Sequence, residues 1–173
     1  MLANKETKGV QEHLDWLLKN DSDRVVYRLL KAHLAWQQKD QNGALKIYEQ
    51  ALEVYPHDLQ LGLDYAEKLL QHDAASKAKA KTVLLSLSAP SHPTYYRLLA
   101  QAYQETGAPA ESQLALAESY YLDGQTALAV EQLKQARQQK KLDYYMASRI
   151  EARYNQLKQE LREEQEATLN NKQ

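Results

Sequence analysis

The stretch LALAESYYLDGQTALAVEQLKQA, Leu114–Ala136, decides the fold. Ala117 is followed twelve residues later by Ala129, and Leu133 and Ala136 come four and seven residues after that. Tyr120 and Gly124 lie between. Small residues at fixed helical spacing mark places where two antiparallel helices cross closely, because a large side chain there would hold the backbones apart. The aromatic and Leu side chains fill the space beside them. Gly supplies the positive φ that ends a helix in a tight turn.

The same spacing recurs outward from this stretch. In KAHLAWQQKDQNGALKIYEQALEVYP, Ala32 is followed by Ala44 at plus twelve, then by Tyr48, Ala51 and Pro56. LLAQAYQETG sets Ala100, Tyr103 and Gly107 in the same frame. This is the pattern of the 34-residue tetratricopeptide (TPR) repeat, two antiparallel helices per unit. Ala100 and Ala117 are seventeen residues apart, half a period. The helix between them is therefore expected to close one pair and open the next, as in a continuous solenoid.

Apolar residues recur at helical spacing along nearly the whole chain, with no convincing period-two stretch. Helices are predicted over Val10–Lys19, Arg24–Gln38, Ala44–Val54, Leu59–Leu70, Lys77–Leu87, Tyr95–Glu105, Ala110–Leu122, Thr126–Lys140 and Tyr144–Glu166. The turns are NDSD, which also supplies an N-cap, KDQNG, YPHD, QHDAAS and SAPSHP. The expected fold is all-α, a TPR-like right-handed α-solenoid of about nine helices in antiparallel pairs, closed by a long C-terminal capping helix. One domain is expected over 1–166, with a flexible polar tail over 167–173. The register of 59–92 stays open, because the small-residue spacing degenerates around HDAASKAKA.

Composition narrows the function classes. Lys and Arg number 22 against 23 Asp and Glu, so no excess of positive charge favours nucleic acid or an anionic membrane. Cysteine is absent, which removes disulfides and thiolate metal sites. No run approaches the roughly 18 apolar residues of a membrane span. MLANKETKGV lacks the apolar core of a signal peptide, so the chain reads as cytosolic or as a segment of a longer exported precursor. The five histidines never pair at i, i+4, and no H-E-x-x-H, phosphate-loop, dinucleotide or nucleophile-elbow motif occurs. No catalytic residue, cofactor or metal ligand is assigned. His57 and His92, beside prolines, are expected at the surface.

The first helix of each pair lines the concave face of such an array. That frame puts Leu29, His33, Trp36 and Gln37 on the inner face of the Ala32 repeat and Arg97, Gln101 and Gln104 on that of the Ala100 repeat. Leu114, Glu118 and Tyr121 follow in the Ala117 frame. Trp36 reads either as a ligand contact or as packing between helices. Each Tyr-Tyr pair (Tyr95/Tyr96, Tyr120/Tyr121, Tyr144/Tyr145) is expected to hold one ring inside and its neighbour partly wet. Leu142, Met146, Ile150, Tyr154, Leu157 and Leu161, spaced by threes and fours, are expected to cap the array.

In the carboxyl half, LLAQAY (Leu98–Tyr103), the A-x-LALAE-x-YYL-x-G-like segment Ser112–Gly124 and the R-I-x-AR-x-x-x-L-like segment Arg149–Leu157 follow one another. Over about Pro93–Leu161 the chain resembles the C-terminal TPR domain of BepA-like (YfgC-like) zinc metalloproteases of Gram-negative bacteria. The resemblance implies a periplasmic interaction module that binds protein or peptide partners, among them outer-membrane assembly machinery and the parent's own protease domain. Zinc and H-E-x-x-H would belong to that protease domain, so neither carries over to these residues. The alternatives are a stand-alone TPR scaffold unrelated to proteolysis and, last, an enzyme.

Overall fold

The computed structural model describes residues 2–21, 24–87 and 91–170, with the backbone alone for 2–8. Among the described residues it is all-α: α1 (Leu2–Asn20), α2 (Val25–Gln37), α3 (Gln41–Val54), α4 (Leu59–Leu70), α5 (Ala74–Ser86), α6 (Pro93–Glu105), α7 (Pro109–Leu122), α8 (Thr126–Arg137) and α9 (Tyr144–Asn170). The chain forms two compact units, Met1–Ser88 and Ala89–Gln173. Within each unit, consecutive helices pack on one another as TPR-like antiparallel pairs.

Helix starts follow local chemistry. The carboxylates of Asp40, Asp58 and Asp73 accept from the backbone N–H three residues on, at 2.8–2.9 Å, satisfying donors that the first turn leaves open. Pro93 and Pro109 sit in the first turns of α6 and α7, where a missing N–H is harmless. Ser22 and Asp23 of the expected NDSD cap lie outside the described residues. α1 begins at Leu2 and not at Val10. α9 runs to Asn170, past the expected end at Glu166 and into the stretch expected as a polar tail; residues 171–173 lie outside the described ones.

Three turns share one closure. The N–H of Asp40, Ala108 and Gln125 each reaches the carbonyl five residues back, at 2.8–3.0 Å. The residue before each donor lies in the left-handed region: Lys39 (φ 66°), Gly107 (φ 74°) and Gly124 (φ 73°). The KDQNG break falls at its first two residues, and Gly43 lies inside α3. Lys39 occupies the glycine position and carries the steric penalty of its Cβ. Lys39→Gly is therefore expected to raise unfolding stability by up to about 1 kcal/mol, read from urea midpoints. No gain would mean that the turn holds no such strain.

The alanine reading is confirmed by burial. Ala32, Ala44, Ala51, Ala117, Ala129 and Ala136 are all fully buried, as are Tyr48 and Leu133 in the aromatic position. The register left open in unit 1 is resolved. Ala66 follows Ala32 by 34 residues and is buried. Ala80 and Leu84 in α5 and Leu87 at its C-cap are buried, each 36 residues beyond Ala44, Tyr48 and Ala51, whereas Ala78, Thr82 and Leu85 at plus 34 are exposed. The offset arises within the first turns of α5: its N-cap Asp73 lies 33 residues beyond Asp40, the N-cap of α3, whereas Ala80 lies 36 beyond Ala44. Gly62 leaves room for the Leu87 side chain, which a Cβ there would meet at 2.6 Å.

In unit 2, α7 packs against both α6 and α8, as the half-period spacing requires. The α6 side uses serine where the pattern has alanine. Ser112 and Ser119 are buried, and their hydroxyls donate to the carbonyls of Ala100 (2.7 Å) and Pro93 (3.0 Å). A small residue permits the close crossing, and its oxygen finds a backbone partner. α9 covers the far side of α8. Ile150, Tyr154 and Leu157 are buried there, with Leu142, Met146 and Leu161 packed beside them.

Three side-chain expectations are corrected. Tyr120 and Tyr121 are both half-buried, with neither ring fully inside. Tyr144 and Tyr145 are both exposed, at 89% and 70%, because they form the first turn of α9 before it reaches its packing partners. His92 is half-buried, not at the surface, with Nδ1 buried and lacking a hydrogen-bond partner. It sits at the N-cap of α6 and makes no side-chain capping hydrogen bond.

Candidate binding surfaces

α2 and α4, the first helices of two successive repeats in unit 1, bring part of the predicted set together. His33 Nε2 lies 3.2 Å from Asp64 Oδ2, while Asp64 Oδ1 accepts from Gln60 at 2.7 Å. Trp36 is half-buried, with Lys68 Nζ 5.5 Å from its ring centroid. Trp36 is thus partly open to solvent while one face of its ring carries a cation. Leu29 is half-buried on the same helix. Gln37 is exposed and, with His33, borders an apolar groove of about 800 Å³ between α1 and α2, lined by Leu14, Leu17, Leu30 and Leu34.

Behind this face lies an aromatic stack. His33 meets Tyr48 edge-on at 6.1 Å, and Tyr48 stacks on Tyr65 at 5.7 Å. Lys79 lies over Tyr65 and pairs with Glu49 at 2.6 Å. The Tyr48 hydroxyl is buried without a hydrogen-bond partner. Burial first, then the charges of Asp64 and Glu67, push its pKa far above the ordinary value of 10.0. Burial likewise raises Tyr65, Tyr95, Tyr96 and Tyr103.

A phenol with a raised folded pKa stays protonated when the unfolded chain has already lost its proton. The resulting stability is fully present below about pH 10 and disappears as pH rises toward the folded values. Melting temperature is therefore expected to be flat from pH 8 to about 9.5 and to fall steeply above about 10. Tyr48→Phe removes an unsatisfied buried hydroxyl, so it is expected to be neutral or stabilising by about 1 kcal/mol at pH 7 and to soften the alkaline fall. Circular dichroism melts across this range test both; an unchanged alkaline slope in Tyr48→Phe would exclude the assignment.

In unit 2 a cleft of about 330 Å³ opens between α6, α7 and α9. Tyr96 and Tyr103 form one wall, Leu114 and Ala115 the floor, and Met146 and Arg149 the other wall. Glu118, on the floor, receives two hydrogen bonds from Arg153 at 2.7 and 2.8 Å. Burial opposes the Arg153 charge, but those bonds and the Glu118 charge outweigh it and raise the pKa. Arg153 also covers the Tyr121 ring at 4.5 Å. A hydrogen bond with Glu160, together with that carboxylate's charge, raises the Tyr121 pKa. Tyr121 is thus held in a network joining α7 to α9.

Leu114 and Glu118, read from the Ala117 frame, line this cleft. Arg97, Gln101 and Gln104 do not: all three are exposed on α6, one step around the helix from Tyr96, Leu99 and Tyr103. Arg149, Lys68 and Asp64 escape the repeat-based reading. None of the three lies 34 residues from an inner-face position, so the repeat frame does not separate them from solvated charge.

Residues 35–102 match a family model of the tetratricopeptide repeat. The match runs from α2 into α6 and includes the shifted α5. No curated protein matches the chain. Packing and match together establish an all-α architecture of TPR-like pairs, a repeat that serves protein–protein interaction and is typically not catalytic. Among the described residues, no helix is long and apolar enough to cross a membrane, and no group of three or more His, Cys, Asp or Glu is placed to hold a metal ion.

Proposed function

We propose that the chain is a protein-binding module that takes partner segments on the inner faces of its repeats. The half-buried Trp36 beside Lys68, on the face shared by α2 and α4, is the observation that carries this reading. A fixed aromatic ring offers much contact area at little entropic cost. Leu29, His33 and Gln37 extend that surface. Arg97, Gln101 and Gln104 on α6, with Tyr121 on α7, form the second set. Pull-down from an envelope extract with wild type, Trp36→Ala and Arg97→Ala tests both sets. Recovery of partners is expected to fall in each variant. Unchanged recovery from both would remove them as contacts.

The finer reading places this module in a BepA-like exported zinc metalloprotease acting in outer-membrane protein assembly and quality control. The ordered segments of Pro93–Leu161 support it. Zinc would sit in the protease domain and the protein would work in the periplasm, with the assembly machinery and that protease domain as partners. The parent gene decides: a signal sequence and H-E-x-x-H upstream are expected, and their absence would leave the stand-alone scaffold.

A further inference from the structure

The unit 2 cleft is one part of a longer groove. It shares Glu111 with a hollow of about 650 Å³ bordered by the α6–α7 turn and by Lys140 and Lys141. At its other end it shares Leu114, Glu118 and Arg149 with a recess of about 320 Å³ beside Arg153 and Gln156. The charge along this path is unbalanced. Glu118 is neutralised by Arg153. Among the described residues Arg149, Lys140 and Lys141 make no ion pair; Arg149 lies over the Tyr145 ring at 5.7 Å, and its charge also acts on the Tyr96 and Tyr103 phenols. Against these three cations stands one unpaired carboxylate, Glu111. Between the cations the floor is apolar, and Tyr96 and Tyr103 line the wall.

Resting on the reading of this chain as a protein-binding module, we infer that the groove takes an extended peptide segment in which carboxylate side chains alternate with apolar ones. From Glu111 to Glu118 the path is about 10 Å at 1.5 Å per helical residue, room for roughly three extended residues, and more toward Lys140. In an extended segment alternate side chains point to opposite sides. The apolar ones can then meet Leu114, Ala115 and Met146, while the carboxylates meet Arg149 and the lysines at the rim. Basic segments would be repelled.

Fluorescence polarisation with labelled, terminally blocked hexapeptides tests this, one alternating Asp and Leu, the other Lys and Leu. Blocking the termini removes the chain-end carboxylate as an alternative ligand. The Asp-Leu peptide is expected to bind saturably, to weaken with salt and to lose about tenfold in affinity on Arg149→Glu. Lys134→Glu, on α8 outside the groove, is expected to change affinity less than twofold. Arg149 is exposed, so an unchanged melting curve accompanies the loss. Equal binding of both peptides, binding of neither, or equal weakening by Lys134→Glu overturns the inference. Pull-down of the Arg149→Glu variant separates the two claims: partners retained without Asp-Leu binding sinks the groove chemistry alone, whereas no partner recovered even by wild type sinks the protein-binding reading.

Discussion

Ala117→Leu is expected to destabilise unit 2 by about 3 kcal/mol, equivalent to a drop of roughly 15 °C in melting temperature for a body of this size. Ala117 is fully buried on α7, opposite Ala129 and Ala136 of α8. Three added carbons have nowhere to go unless the helices part. Parting them loosens the contacts of Leu133 and Val130 as well, and α7 also carries the crossing with α6, so the strain is not easily relieved on one side. Ala127, two residues before Ala129 and on the exposed face of α8, supplies the comparison. Ala127→Leu is expected to stay within about 0.5 kcal/mol of wild type. Equal effects from the two substitutions, measured by urea denaturation, would show that small residues do not set the helix spacing.

Ile150→Ala is expected to cost about 4 kcal/mol. Ile150, on α9, is fully buried against α8, in one cluster with Leu133, Leu157 and Tyr154. Its truncation leaves a cavity where the last helix covers α8. Arg137 holds the outer side of this contact, over the Tyr154 ring at 4.4 Å and paired with Glu151 at 2.8 Å. That pair is exposed and contributes little by comparison, so the apolar contact dominates the docking of α9. Tyr145→Ala, at the open first turn, is expected to leave stability unchanged. A loss below about 1 kcal/mol for Ile150→Ala would mean that α9 does not cap the unit.

Both substitutions strike features that are legible in the amino-acid sequence. The Ala117–Ala129–Ala136 spacing predicts a close crossing because helical periodicity alone decides which residues share a face. The Ile150–Tyr154–Leu157 stripe predicts a cap for the same reason. The candidate binding surfaces are less legible. Position in the repeat selects Trp36, yet Lys68 and Asp64, which shape its surroundings, lie on another helix. The same rule selects Arg97 in the Ala100 frame. The cleft of unit 2 instead follows the Ala117 frame, with Leu114 and Glu118 on α7, because a helix shared by two pairs shifts which face stays open.

Residue order alone is enough to dictate an all-α chain of TPR-like pairs, the alanines at the crossings and the glycines at two of the three matching turns. Three-dimensional packing was needed to show that Lys39 fills the third such turn, that α5 is offset by two residues, and that Ser112 and Ser119 stand in for alanine. Packing also joins Glu118 to Arg153, 35 residues away. The division has one physical cause. Helical periodicity and turn geometry are local and recur along the chain, whereas a salt bridge, a shifted register or an open groove depends on which helices meet.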